Sequence, residues 1–161
     1  MAKTSTPAPP KWLTPLEMEA WRAYILTSRR LMEVLEQALD NHDLSMADYE
    51  VLAQLSDAPG RRMRMSELAE AALLSRSRLS HRMKVMEQAG LIRKEECPDD
   101  RRGAFAVMTE KGLGAIVAAA PDHVASVRRV FSDVLTPADQ QVIAHSFTTI
   151  QNLLKSDTCN S

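Results

Sequence analysis

The 161-residue chain has few of the residues on which several classes of protein depend. It contains 2 cysteines, 5 glycines and 4% aromatic residues. Cys97 and Cys159 fit neither a disulfide framework nor a metal-site spacing, so we expect no zinc. A nucleophile elbow, an HExxH helix and a phosphate-binding glycine loop are all missing. The sequence therefore predicts a protein that is not an enzyme and uses no cofactor.

Long hydrophobic runs are also missing. No apolar run approaches the roughly 20 residues that a membrane-spanning helix needs. The first residues, MAKTSTPAPPKW, lack the apolar segment of a signal peptide, so we expect a cytoplasmic protein. Its length and its content of 45% hydrophobic and 25% charged residues suit a single globular domain. We expect that domain over residues 14–155, with a flexible tail at 1–13 and a frayed tail at 156–161.

The net charge is only −1, but the basic residues are concentrated in one stretch. Residues 61–102 hold 11 of the 20 lysines and arginines and 7 of the 21 acidic residues, a local balance of +4 against −5 elsewhere. A local basic surface attracts phosphate groups. Charge runs are also common on ordinary solvated surfaces, so the motifs around this stretch have to decide between the two interpretations.

The first half of the chain carries clear helix signals. Thr14-Pro15-Leu16-Glu17 is typical of a capped helix start, and the apolar periodicity that follows predicts a helix over 14–42. Ser45-Met46-Ala47-Asp48 begins a second helix, and Ala58-Pro59-Gly60 ends it. Arg62–Met65 alternates like a short strand, and Ser66 is then expected to cap a helix over 67–72.

The next helix has two distinct faces. Ser75 is its expected N-cap and Gly90 its terminator, so the helix covers roughly 76–88. Leu79, Met83 and Met86 form a buried stripe at i, i+4 and i+7. The opposite face is polar and basic, with Arg82 on its flank; it consists of Ser77, Arg78, Ser80, His81 and Lys84.

A hairpin and two more helices complete the pattern. Residues 91–95 and 104–108 are predicted strands, joined by an arginine-rich tip over 96–103. Thr109-Glu110-Lys111-Gly112 starts a helix that Pro121 should kink or break. Leu135-Thr136-Pro137-Ala138-Asp139 starts a last helix, over 136–155.

This order of elements is that of a winged helix-turn-helix, and the chain resembles the MarR family of transcriptional regulators from roughly Leu13 to Leu154. The most specific segments are SELAEAALLSRSRLSHRMKVMEQAGLIRKE and PDDRRGAFAVMTEKG. Met108 stands where the family usually has Leu, a volume-conserving departure. The expected fold is mainly α-helical with a small β-hairpin wing and dimerisation helices at 14–42 and 109–155; the DNA-binding lobe covers 45–109.

The residues of the second helix of this motif suit double-stranded DNA. A helix over 76–88 fits a major groove about 12 Å wide, where arginine forks onto guanine and short polar side chains reach base edges or phosphates. In similar proteins a wing-tip arginine enters the minor groove beside an aspartate two residues earlier, which implies Arg102 with Asp100. The expected DNA-binding residues are Ser75, Arg76, Ser77, Arg78, Ser80, His81, Arg82, Lys84, Asp100, Arg101 and Arg102, with Arg82, Lys84 and Arg101 assigned to phosphate.

The resemblance implies a homodimer on a palindromic operator. The terminal helices carry surplus apolar surface, although an intrachain core is the alternative explanation. We expect intersubunit packing by Trp12, Leu13, Leu16, Phe147, Ile150, Leu153 and Leu154. Most similar regulators are repressors, so repression is the expected mode of action.

Regulation by a small aromatic or phenolic ligand is implied in the same way. Candidate ligand-binding residues are Trp21, Tyr24, Arg29, His42 and Tyr49; the competing interpretation is ordinary core aromatics and surface charge. A redox switch at Cys97, next to Lys94, Arg101 and Arg102, is one alternative mechanism, against an incidental thiol. A sequence-tolerant architectural DNA binder is another.

Overall fold

The computed structural model describes residues 10–97 and 100–158. This part is mainly helical with a small sheet, as the sequence predicts. Residues 1–9 of the predicted tail, Pro98 and Asp99 of the hairpin tip, and Cys159 lie outside the described residues. The elements are α1 (Pro15–Gln37), α2 (Met46–Asp57), β1 (Arg62–Arg64), α3 (Met65–Ala71), α4 (Arg76–Gln88), β2 (Ile92–Cys97), β3 (Asp100–Met108), α5 (Glu110–Val127) and α6 (Pro137–Thr158), with 3₁₀ turns at Asp40–His42 and Pro59–Arg61 and a π-helical segment at Arg128–Ser132.

The chain divides into two compact units, Met1–Glu33 and Val34–Ser161. The first contains most of α1, whose start has the predicted capping box: the Thr14 N–H donates to Glu17 Oε2 over 2.7 Å, and the Glu17 N–H donates to Thr14 Oγ1 over 3.3 Å. α1 ends at Gln37, so the prediction of a helix reaching His42 is wrong. The second unit holds the remaining elements.

The core of the second unit lies where α2, α3, α4 and α5 pack with the sheet. Its members come from every one of these elements, so the core fixes them together by burial of apolar surface. The predicted stripe of α4 is part of it. Fully buried side chains include Leu39, Val51, Leu52, Leu55, Leu68, Leu79, Met83, Met86 and Ile92.

The sheet has three antiparallel strands in the order β1-β3-β2. β1 pairs with β3 through Arg62 and Val107, and β2 pairs with β3 through Ile92 and Met108. The predicted tip over 96–103 is too long, because the strands continue to Cys97 and resume at Asp100. A register irregularity between Glu96 and Cys97 accommodates this extension, as β-bulges do.

Most helix starts follow the predicted caps, and one does not. Ser45, Ser75 and Thr109 each accept a bond from the backbone N–H three residues on. α3 instead begins at Met65, with Arg64 at the N-cap and no side-chain cap, so the prediction for Ser66 is wrong.

Of the kink or break predicted at Pro121, the break does not occur. α5 runs unbroken through this residue, from Glu110 to Val127. Proline removes one backbone hydrogen bond from a helix, and burial of Ile116 and Ala119 against the core offsets that loss. Within residues 10–97 and 100–158, no helix combines the length and apolar character needed to cross a membrane.

Two glycines of α5 give a matched test of the packing between this helix and the wing. A Cβ at Gly112 would overlap the Leu91 carbonyl oxygen, whereas a Cβ at Gly114 meets nothing within 4 Å. Gly112→Ala is expected to lower the free energy of unfolding by about 1–3 kcal/mol. Gly114→Ala should raise it by about 0.5–1 kcal/mol through helix propensity. Urea denaturation followed by circular dichroism measures both, and equal effects would contradict the close packing at Gly112.

Candidate nucleic-acid interface

Both ends of α4 are fixed by local hydrogen bonds. At its start, Ser75 Oγ accepts from the Arg78 N–H over 3.2 Å and lies 3.1 Å from Ser77 Oγ. At its end, Gly90 has φ +73° and its N–H donates to the Glu87 carbonyl over 2.9 Å. The Leu91 N–H donates to the Met86 carbonyl over 2.9 Å, which completes a Schellman motif. The helix is therefore a rigid element of defined length.

α4 buries one face and exposes the other. Leu79, Met83 and Met86 are at most 1% exposed. The side chains predicted to read DNA lie on the outer face, which makes them available to a ligand; exposed are Ser75, Arg76, Ser77, Arg78, Ser80, His81 and Lys84. Their contacts with DNA stay a prediction.

The positive charges on this outer face have no acidic partner in the part of the chain that the structure describes. Among the described residues, the side chains of Arg76, Arg78 and Lys84 have no ion-pair partner. The first turn of α4 contains no acidic residue. The helix dipole therefore adds to the arginine charges, and together they favour an anion such as a phosphate.

Arg82 differs from these three residues because it is paired. Its Nε donates to Asp48 Oδ1 over 2.8 Å, and its Nη2 donates to Asp48 Oδ2 and, over 3.0 Å, to Ser45 Oγ. Asp48 and Ser45 form the capping box of α2. Arg82 thus connects α4 to the first turn of α2. Its predicted contact with phosphate stays untested, and no local sequence signal indicates this pairing across 34 positions.

The base of the wing is held by arginines of β1 and β2. Arg62 Nε donates to Glu95 Oε2 over 3.0 Å, and Arg93 pairs with the same carboxylate. These two hydrogen bonds, the one from Arg62 first, lower the pKa of Glu95. The Arg62 guanidinium carbon also lies 3.3 Å from the centre of the Phe105 ring, a cation–π contact. The wing is therefore supported at its base, while Asp100, Arg101 and Arg102 belong to β3 further out.

Cys97, the predicted redox candidate, is buried. It is 6% exposed, and its Sγ accepts from Arg64 Nη2 over 3.5 Å. A cation of β1 is therefore its hydrogen-bond donor, in addition to the charges that the sequence places near it. Because oxidation of a thiol requires access from solvent, this burial argues against a redox switch at Cys97.

The five candidate ligand residues fall in both units. In the first unit, Trp21 and Tyr24 have ring centroids 6.0 Å apart, and both are exposed, as is Arg29. In the second unit, His42 and Tyr49 both contact α5. His42 Nε2 lies 2.8 Å from Asp122 Oδ2, and the Tyr49 ring lies 4.3 Å from the ring of the next residue, His123. A ligand role for these residues stays a prediction.

The arrangement of α3, α4 and the wing defines the class of protein: a winged helix-turn-helix with a cationic outer face on its second helix. Comparison with known proteins agrees. A model of the MarR family matches residues 42–103, from the turn before α2 into the wing. The curated regulator MhqR of Bacillus subtilis is 28% identical over 114 residues, which cover 69% of this chain and 72% of that protein.

Two solved structures from Streptomyces coelicolor are more similar. AbsC, a MarR family transcriptional regulator, is 47% identical with a TM-score of 0.88, covering 91% of this chain and 99% of its own. Sco3205, a MarR family regulator in complex with DNA, is 38% identical with a TM-score of 0.86, covering 88% of this chain and 90% of its own. The chain belongs to the MarR family. It is a DNA-binding transcriptional regulator and not an enzyme.

The contact of His123 with Tyr49 gives a prediction for the pH dependence of stability. Burial lowers the pKa of His123 below its ordinary value of 6.5. A histidine whose pKa is lower in the folded state stabilises the fold above its unfolded pKa, and this contribution is lost as the pH falls through the folded pKa. Acidification from about pH 8 to about pH 5 should therefore destabilise the wild type more than His123→Gln.

Urea denaturation at the two pH values measures the difference. His145→Gln, at an exposed position of α6, is the matched control and should keep the wild-type pH dependence. If acidification lowers the free energy of unfolding equally in the wild type and in His123→Gln, this histidine is not the group responsible for the pH dependence of stability.

Proposed function

We propose that the protein is a homodimeric repressor that binds a palindromic promoter operator and is released by a small ligand. The observation that carries the proposal is the outer face of α4, whose Arg76, Arg78 and Lys84 are exposed and unpaired among the described residues. The DNA complex of a regulator 38% identical supports it. Repression is proposed because most similar regulators occlude promoters, and a protein bound there excludes the transcription machinery. The cytoplasmic location stays a prediction.

The proposed division of contacts follows from side-chain chemistry. Arg76 and Arg78, in the first turn of α4, are suited to fork onto guanine in the major groove. Ser77, Ser80 and His81 reach base edges or backbone oxygens, and Lys84 contacts a phosphate. In the wing, Arg102 enters the minor groove with Asp100 beside it, and Arg101 contacts a phosphate.

A second copy of the chain would cover the apolar surface of the terminal helices. In the first unit, Trp12 is 82% and Leu16 is 75% exposed. Exposed apolar side chains in such number mark an interaction surface. On α6 of the second unit the exposed apolar residues are Val142, Phe147, Ile150, Leu153 and Leu154. A twofold dimer would also place two α4 helices on successive turns of a palindromic site.

The dimer is tested by its mass in solution. Light scattering should give about twice the chain mass of 17.9 kDa. Replacing both Ile150 and Leu153 by Glu places charges in the proposed interface and should yield a folded monomer with weakened operator binding. Gln151→Glu adds a charge at an exposed polar position of the same helix and should leave the mass unchanged. A wild-type monomer at micromolar concentration would refute the dimer.

DNA recognition is tested with duplexes that the full-length protein selects from a random library. The selected operator should bind at least about 10³-fold more tightly than random duplex at physiological salt, whereas an architectural binder shows no such preference. Arg102→Ala should weaken operator binding by about 1–3 kcal/mol and leave the melting temperature unchanged. Arg129→Ala, an exposed arginine in the segment after α5, is the control. Unchanged affinity in Arg102→Ala would remove the wing from the proposal.

The proposed release by a ligand involves the turn before α2 and the helix α5. It is supported by the position of His42 and Tyr49 against α5, where a bound aromatic anion would meet both an imidazole and a phenol ring. A panel of aromatic acids, titrated against the protein–operator complex, should contain compounds that release the DNA. Release by peroxide, abolished in Cys97→Ser, would instead favour the redox alternative.

A further inference from the structure

We infer that Arg82 acts on DNA recognition as a positioning residue, through Asp48, and does not contact a phosphate. In this inference the ion pair between α2 and α4 sets the orientation in which the outer face of α4 meets the bases. It rests on the proposed function of α4 as the DNA-reading helix. It also revises the sequence prediction, which assigned Arg82 to the DNA backbone.

The geometry of the ion pair fixes the relative orientation of the Arg82 and Asp48 side chains as well as the distance between them. Nε and Nη2 of Arg82 donate to different oxygens of Asp48, so the planar guanidinium and the carboxylate meet in a two-point contact. The third bond, from Nη2 to Ser45 Oγ, ties the same group to the N-cap of α2. Three bonds from one guanidinium to the start of α2, two to Asp48 and one to Ser45, prevent rotation about any single hydrogen bond. The side chain therefore restrains both the position and the tilt of α4 relative to α2.

The burial of Asp48 limits which other groups the Arg82 side chain can bind. Asp48 is 5% exposed, and it is the one buried charged side chain among the described residues. It also accepts from the Ser45 N–H over 3.1 Å and from Ser45 Oγ over 2.6 Å. If Arg82 turned to a phosphate, this carboxylate would stay buried without a countercharge, which is strongly unfavourable. Binding to phosphate would have to overcome that penalty, so the pair is expected to persist on DNA.

The neighbouring cations of α4 have no such competitor. Lys84 lies two positions further along the helix, is exposed, and has no ion-pair partner in the part of the chain that the structure describes. Arg78 shares these properties. Among the described residues, the outer face of α4 therefore offers unpaired positive charges to DNA without Arg82. The flank of the helix, where Arg82 lies, faces α2.

Loss of positioning and loss of a phosphate contact have different signatures. Base contacts depend on geometry, so a tilted helix loses discrimination between operator and random DNA. Phosphate attraction is sequence-independent, and each lost contact lowers the salt dependence of binding by about one unit of slope. Measuring the affinity ratio and the salt slope together separates the two roles.

The decisive variant is Arg82→Lys, which keeps the positive charge but cannot form the two-point contact. If Arg82 is a positioning residue, Arg82→Lys lowers the ratio of operator to random affinity by about tenfold, with an unchanged salt slope on random duplex. If Arg82 contacts a phosphate, lysine substitutes for it and both quantities stay at the wild-type value. That second result would overturn the inference. Fluorescence anisotropy across a potassium chloride series measures both quantities, and Lys84→Gln is the matched control, expected to lower the salt slope.

A double-mutant cycle keeps the test valid if one partner cannot be removed without unfolding. Asp48→Asn and Arg82→Gln are measured singly and together. Positioning through Asp48 predicts that adding Arg82→Gln to Asp48→Asn has no further effect on the affinity ratio, because the pair is already lost. Independent effects that add would contradict the inference. If Arg82→Gln alone fails to fold, Asp48→Asn against the double variant still provides the comparison.

Failure of this inference is distinguishable from failure of the proposed function. If the wild type selects no preferred duplex, α4 does not read sequence and the proposed function falls. If the wild type has an operator and Arg82→Lys binds it with the wild-type affinity ratio, only the role of Arg82 falls.

Discussion

The orientation of α4 relative to α2 depends on one buried charge and the partner that neutralises it. Asp48 is buried, and a buried carboxylate is tolerated only with a countercharge and a full set of hydrogen bonds. Arg82 and Ser45 supply these. The apolar side chains of α4 could be buried at a range of tilt angles between α4 and α2, because the hydrophobic effect is non-directional. The ion pair is directional, and it selects one arrangement of α2 and α4 from that range.

The first turn of α2 is consequently in contact with two helices. Ser45 and Asp48 contact α4 through Arg82, while His42 and Tyr49, just before and after them, contact α5 at Asp122 and His123. A displacement of α5 that carries this turn with it would also move the point at which α4 is held. The fold thus provides a short connected route of packed and hydrogen-bonded groups between α5 and the outer face of α4.

The sequence predicted best what is determined locally. Ser75 caps α4 and Gly90 ends it because these bonds span three to five residues, and the stripe of Leu79, Met83 and Met86 follows from helical periodicity alone. The outer face follows from the same periodicity. Helical spacing is therefore sufficient to assign the cationic side chains to the exposed side of α4, while their contacts with DNA stay predictions.

The features that escaped prediction depend on residues far apart in the chain. The pairing of Arg82 with Asp48 spans 34 positions, and nothing near either residue indicates it. The addition of β1 to the edge of the hairpin and the burial of Cys97 likewise require the sheet to be assembled. Ser66 is a local prediction that failed. This residue type has a strong capping preference, but Ser66 lies one position inside a helix that begins at Met65.

The charge distribution also depends on which residues the fold brings together. This explains how a chain of net charge −1 presents a cationic surface. The basic stretch 61–102 is not uniformly available to a ligand. Arg61 pairs with Glu110, Arg62 and Arg93 pair with Glu95, and Arg82 pairs with Asp48.

These ion pairs stabilise the base of the sheet and the packing of the helices. Because the opposite charges in each pair lie close together, the pairs contribute little electrostatic potential at a distance. Since salt screens exposed charges beyond about 8–10 Å, a phosphate responds to the charges nearest to it and not to the sum over the chain. Those on the outer face of α4, Arg76, Arg78 and Lys84, are unpaired among the described residues. One set of arginines is therefore engaged in ion pairs within the fold, while these three cations of α4 have no such partner in the described part of the chain.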